Sequence, residues 1–159
     1  MKAKFFGLVV MTFVLLVAML TGCGDRVQTV FLQPNYNELK WKVEEFTVKT
    51  GSQVKLVMDN IASGLTNVMS HNAVILAKRD TKEARDALIE EVGKAAIEVG
   101  EAEEFFPKNH PGILLRTPLA APGQKTEIIF TAPEPGDYPY ICTFAGHWKT
   151  MRGVMHVVE

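Results

Sequence analysis

The alternation of apolar and polar positions predicts a β protein interrupted by one helix. From Leu39 the pattern has period two: Leu39, Trp41 and Val43 are apolar, with polar residues between them. Phe46 and Val48 resume the alternation with shifted parity, which predicts a bulge near Glu44 and Glu45. "KTGSQ" reads as a turn, and Val54, Leu56 and Met58 alternate again up to "DN". A short buried strand is expected from Ala73 to Ala77. Thr126 to Thr131 reads as a strand, followed by the turn "APEPGD". Tyr138, Tyr140 and Cys142 alternate, and Gly153 to Val158 is the last strand. Several short strands divided by Gly/Pro turns predict a β-sandwich.

The exception is "RDTKEARDALIEEVGKAAIEVGEAEEFF", at about 80–100. Ala84, Leu88, Val92, Ala95 and Val99 recur at helical spacing and form one apolar stripe. Asp80, with Glu83 three residues on, is the expected N-cap; Gly93 weakens the middle, and Gly100 ends the helix. Its carboxylates are scattered around the polar face, so the helix is expected to pack on one side of the sandwich with no catalytic role.

The N-terminal residues follow different rules. Lys2 and Lys4 precede an uncharged, mostly apolar run from Phe5 to Leu20 and then small residues, the pattern of an export signal. The run is slightly short for a membrane span. Leu20-Thr21-Gly22-Cys23 resembles the bacterial lipobox, which implies a signal peptide over 1–22 and a lipidated Cys23. Residues 23–38 are expected to be a lipidated tether leading into a first short strand, with the sandwich domain over 39–159. The expectation is an exported, membrane-anchored lipoprotein facing the periplasm or extracellular side. The formal charge of −1 and pI near 6.4 argue against nucleic acid as a partner.

There are two Cys. With Cys23 lipidated, Cys142 is alone in an exported chain, where an unpaired thiol needs burial or metal ligation. A Cys23–Cys142 disulfide is the alternative. Cys142 opens the segment "CTFAGHWKTM", which places a thiol, the His147 imidazole and the Met151 thioether close together. Two imidazoles and a thiolate with a weak axial thioether make a trigonal copper site. The second His comes from elsewhere, and His71 in "MSHNAVIL", at the mouth of a strand, is the strongest candidate. His110 precedes Pro111 in a loop, and His156 lies inside the last strand; both are weaker candidates. A nucleophilic Cys142–His147 pair is disfavoured because no Asn or Asp neighbours His147 in sequence to orient the base. Zinc rarely recruits Met.

Together "MSHNAVIL" and "CTFAGHWKTMRGVMHV" resemble the blue-copper proteins, or cupredoxins, and most of all their azurin and auracyanin branch. That branch carries Met-Gly-His-Asn-Trp-Val-Leu early and Cys-Thr-Phe-Pro-Gly-His-x3-Met-x-Gly late. Met69, His71, Asn72 and Val74 match the first motif; Cys142, Thr143, Phe144, Gly146, His147, Met151 and Gly153 match the second. The resemblance implies an all-β, Greek-key sandwich with an inserted helix, and one type 1 copper cycling between Cu(I) and Cu(II). It implies a one-electron carrier, not an enzyme, with cytochromes or membrane oxidoreductases as partners. His71, Cys142 and His147 would be the equatorial ligands, with Met151 axial and the Ser70 carbonyl a distant axial contact. Asn72 would tie the His71 strand to the Cys142 loop, the Phe144 N–H would hydrogen-bond the Cys142 sulfur, and Thr143 would lie with them just outside the ligands. His147 would be the electron port within a docking patch of Met69, Ala145, Gly146 and Trp148, with simple packing as the alternative role for Trp148. Lys149 and Arg152 flank that loop, either as solvated charges or as a bias towards an acidic partner. Ser70, Ala73 and Ala145 depart from the family's Gly, Trp and Pro, and the last change implies a slightly looser ligand loop. A copper chaperone or storage protein is the alternative function; the seven Met are scattered and form no Met-rich run.

Overall fold

The computed structural model describes residues 27–35, 37–61 and 68–159. The apolar run from Phe5 to Leu20 and Cys23 lie outside them. Among the described residues, no helix is long and apolar enough to cross a membrane.

Two sheets face each other. One is built from β1 (Gln28–Leu32), β5 (Gln53–Asp59) and β8 (Lys125–Thr131), in that order. The other has the order β4 (Glu45–Lys49), β10 (Arg152–Val158), β9 (Gly136–Ile141), β6 (Val74–Leu76), β7 (Ile113–Arg116). A two-stranded ribbon, β2 (Pro34–Asn35) with β3 (Lys40–Trp41), sits beside them. Several paired strands are far apart in sequence, such as β4 with β10, β5 with β8 and β6 with β9, the crossed connectivity of a Greek key. Two pairs are parallel, β1 with β5 and β4 with β10.

The core between the sheets follows the period-two pattern. Val54, Leu56 and Met58 face inward from β5, and meet Tyr138, Tyr140, Cys142, Met155 and Val157 from the opposite sheet. The segment expected to lead into a first short strand contains β1, whose Val30 and Leu32 are buried in this same core. The alternation at Leu39 to Val43 divides differently from the single bulged strand expected. Leu39 has φ 50°, so the chain turns there; Trp41 is buried while Val43 is exposed, and β4 starts afresh at Glu45. β7 breaks no visible rule, but four residues between Gly112 and Thr117 make too short a run to show alternation.

β6 is buried on both faces, which explains its unbroken apolar run. Ile75 points into the sandwich core, and Val74 and Leu76 point the other way. That outer face is covered by α1 (Lys82–Val99), through Leu88, Ile89 and Val92, together with Phe106 and Trp148. Each such aliphatic side chain, fully buried, contributes about 1.5–3 kcal/mol.

Two details of the helix correct the expectation. Thr81, not Asp80, is the N-cap, its hydroxyl accepting the Ala84 N–H at 3.2 Å. The buried stripe is Leu88, Ile89, Val92, Gly93 and Ala96, so Ala84, Ala95 and Val99 sit at its margin. Gly100, at φ 66°, ends the helix as expected.

Candidate metal centre

The site lies at one end of the second sheet, where the chain before β6 and the turn between β9 and β10 come together. His71 makes an antiparallel bridge with Ala120: its N–H donates to the Ala120 carbonyl at 3.0 Å and its carbonyl accepts the Ala120 N–H at 2.8 Å. Asn60 braces both sides, its Nδ2 donating to the carbonyls of Met69 and Ala120 at 2.9 Å each. Thr117 adds a third tie, its Oγ1 accepting the Ala73 N–H at 3.0 Å. Sequence reasoning missed Asn60, Thr117 and Ala120. Each acts through a partner far along the chain, and nothing local marks it.

On the other side, Cys142 follows the last residue of β9, and the turn Phe144–Lys149 leads to Met151. The turn closes on itself: the His147 carbonyl accepts the N–H groups of Thr150 at 3.0 Å and Met151 at 2.7 Å. The Cys142 N–H then donates to the Met151 carbonyl at 3.0 Å, so the backbones of Cys142, His147 and Met151 form one bonded unit. Ala145 and Gly146 turn the chain, at φ 40° and 85°. Proline, fixed near −65°, does not fit at the Ala145 φ. Ala145 is therefore more than the loss of a stiffening ring; the loop takes its own path here.

These two sides bring His71, Cys142 and His147 together. The Cys142 Sγ is 3.7 Å from His71 Nδ1 and 3.5 Å from His147 Nδ1, and all three donor atoms lie within 4.8 Å of one another. The two imidazole rings are 4.8 Å apart. His71, Cys142 and Met151 are fully buried, and His147 is 5% exposed. Asn72 crosses between the sides: its Nδ2 donates to Thr143 Oγ1 and its Oδ1 accepts the Thr143 N–H, both at 2.9 Å. The backbone N–H groups of Phe144 and Asn72 both point at the Cys142 sulfur; the Asn72 bond carried no sequence signal.

Burial sets the protonation states. It pushes the Cys142 thiol up to about 12, outweighing the two N–H bonds that favour the thiolate. Burial lowers His71 to about 3, with help from neighbouring His147, and lowers His147 to about 4. At neutral pH both imidazoles are therefore uncharged, the form that ligates a metal, while the thiol holds a proton that a metal must displace. Two imidazole nitrogens and one sulfur in a buried, pre-bonded frame fit copper.

The remaining candidates are elsewhere. His110 Nδ1 accepts the Gly112 N–H at 3.0 Å and its Nε2 is 3.3 Å from Glu91. His156 lies 2.8 Å from Asp137 and 3.7 Å from Glu45. Around His147, Ala145 is exposed and Met69, Ser70 and Gly146 are half-buried. Trp148 does not belong to an exposed patch: it is 4% exposed and packs under α1. Arg152 pairs with Asp86 at 3.4 Å. Beside the loop, Lys149 and Lys94 share a groove with Glu90 and Glu98, so the flanking cations are balanced.

Comparison with known proteins agrees with this arrangement. The family described as copper binding proteins, plastocyanin/azurin family, matches residues 28–158. Auracyanin-A of Chloroflexus aurantiacus is 29% identical over 134 residues, spanning 84% of this chain and 76% of that protein. Azurin of Methylobacillus flagellatus is 35% identical over 94 residues, 57% of this chain and 58% of that one. Among solved structures, dithionite-reduced auracyanin from the photosynthetic bacterium Roseiflexus castenholzii gives a TM-score of 0.68 at 31% identity, covering 83% of this chain and 98% of that one. With the cupredoxin fold and one type 1 copper as its cofactor, the chain belongs to the plastocyanin/azurin family of copper-binding proteins.

Proposed function

We propose that this protein is a one-electron carrier whose type 1 copper is held by His71, Cys142 and His147, with Met151 as the axial ligand and the Ser70 carbonyl as a distant axial contact. The observation that carries the reading is the convergence of the Cys142 sulfur and two imidazole nitrogens within 4.8 Å, at positions that are almost wholly buried. Copper in such a site supplies reversible one-electron chemistry between Cu(I) and Cu(II). The chain's own residues keep the geometry the same in both states. The Asn60 and Asn72 carboxamides fix the His71 segment, and the His147 carbonyl fixes the Met151 backbone. The N–H groups of Phe144 and Asn72 withdraw charge from the Cys142 sulfur and so raise the potential. Burial excludes water from the donors.

His147, the ligand with residual exposure, is the electron port, and Met69, Ala145 and Gly146 are the docking surface around it. The balanced charges beside the loop favour apolar contact over charge-led docking. Partners are redox proteins, such as cytochromes or membrane oxidoreductases, at the outer face of a bacterial membrane. The chain is exported, and lipidated Cys23 anchors it there through the few residues before β1, the rest of the expected tether at 28–38 belonging to the sandwich. The buried donors disfavour a copper chaperone, which needs ligands a partner can reach.

The test is spectroscopic. Copper-loaded, oxidised protein should be intensely blue, with a type 1 EPR signal and reversible one-electron voltammetry. A colourless Cu(II) complex, or a blue colour that survives Cys142→Ala, overturns the reading. For the anchor, Cys23→Ser should release the protein from membranes; retention there would place the anchor in the apolar run itself.

A further inference from the structure

A glycine inside a helix is unfavourable relative to alanine, yet Gly93 sits buried in the middle of α1. The reason is Trp148. A Cβ at position 93 would overlap the Cγ, Cδ2 and Cε2 atoms of the indole, so the missing side chain is the seat of the ring. The indole belongs to the cluster formed by Val92 and Ile89 of α1, Val74 and Leu76 of β6, and Ile141 of β9. Those two strands lead directly from His71 and into Cys142. Trp148 also follows His147 in the turn, and Met151 is three residues on. The turn has two successive residues in the left-handed region, Ala145 and Gly146, and Ala145 lacks the freedom of glycine. On its outer flank stands α1, whose Ile97 lies 4.0 Å from where a Gly146 Cβ would be.

We infer that Trp148 is a positioning residue for the copper centre: seated in the Gly93 notch, it couples α1 to the turn that carries His147 and Met151 and holds that turn in its metal-binding shape. The inference rests on the copper reading above. It gives the inserted helix a task beyond covering β6. The indole ring transmits the rigidity of α1 to the His147 peptide, so displacing the ring shifts the imidazole that faces Cys142.

The test has two arms. In metal-free protein, amide hydrogen exchange at Thr150 and Met151, whose N–H groups bond to the His147 carbonyl, should quicken in Trp148→Ala. In copper-loaded protein, Trp148→Ala should release copper to a chelator about tenfold faster, the scale of a lost supporting contact at a metal site. Its EPR and visible spectra should shift too. Trp148→Phe, which refills the notch, should restore most of both readouts. Gly93→Ala, which keeps the indole but crowds its seat, should reproduce the alanine phenotype, and it keeps the test open if Trp148→Ala does not fold. Unchanged exchange in the metal-free arm overturns the coupling, even if no blue centre forms in any variant. A spectrum and release rate matching the parent, despite a lower melting temperature, overturns it too and leaves Trp148 as packing alone.

Discussion

Asn72 and Thr143, 71 positions apart, are joined by two hydrogen bonds of 2.9 Å that span the two halves of the metal centre. Both residues are fully buried. Asn72→Ala removes the acceptor of the Thr143 N–H without offering another. Leaving that donor buried and unpaired should destabilise the protein by about 1–3 kcal/mol. Because it also frees the His71 segment from the Cys142 loop, copper affinity should fall about 10–100-fold. Denaturant titration of the metal-free protein reads the first effect, and competition with a chelator of known affinity reads the second.

The metal-free protein should lose stability in acid earlier than its carboxylates alone would cause. His71 and His147 are lowered from 6.5 to about 3 and about 4. A depressed histidine stays neutral in the folded state while the unfolded chain takes up a proton, so the stability it contributes is present above 6.5 and lost as pH falls towards the folded values. The slope for each imidazole approaches about 1.4 kcal/mol per pH unit below 6. Cys142 works in the opposite direction. Its raised value means stability is lost as pH rises from 9 towards about 12. Denaturation midpoints measured from pH 4 to 10 should therefore show a plateau between about 6.5 and 9, falling on both sides. A flat profile down to pH 5 would contradict the buried imidazoles.

Gly153 is enclosed by backbone and ring. A Cβ there would overlap the Glu44 carbonyl oxygen and the Tyr140 phenol, whose hydroxyl donates to the Val43 carbonyl. Backbone cannot step aside, so Gly153→Ala should cost about 1–3 kcal/mol through forced displacement. Thermal unfolding of the metal-free form is a sufficient check.

At the start of α1, Thr81→Ala should destabilise by about 1 kcal/mol, while Asp80→Ala should change stability far less. Chemical denaturation of the two variants side by side distinguishes the caps.

Thr81 also shows where the sequence was ambiguous. Asp80 and Thr81 are both good caps, and Glu83 falls three residues after Asp80 and two after Thr81. Only the backbone, extended at Thr81 (φ −110°, ψ 154°), decides between them. The strands were legible where one face meets the core and the other is exposed, as along β8 and at the start of β5. They were not legible in β7, too short to alternate. Three of the four proposed ligands were legible because they share one turn, and His71 because its neighbours Met69 and Asn72 share its motif. Gly93 was legible only as a weak point of the helix. Its purpose depends on Trp148, 55 positions away, and volume exclusion between distant residues leaves no periodic trace. For the same reason the sequence left Trp148 open between docking surface and simple packing, and its burial favours packing.

The β9–β10 connection has a further meaning for the unfolded chain. Cys142, His147 and Met151 remain close along the chain even when nothing is folded, so a denatured molecule still offers a flexible three-donor chelate. Folding adds His71, through the bridge to Ala120 and the bonds of Asn60 and Asn72. Metal that also binds the unfolded chain stabilises the fold by less than its native affinity suggests. Release then need not await global unfolding: a local opening that carries His71 away from the hairpin is enough to weaken the grip, and the strength of the Asn72 crossing sets how often that happens.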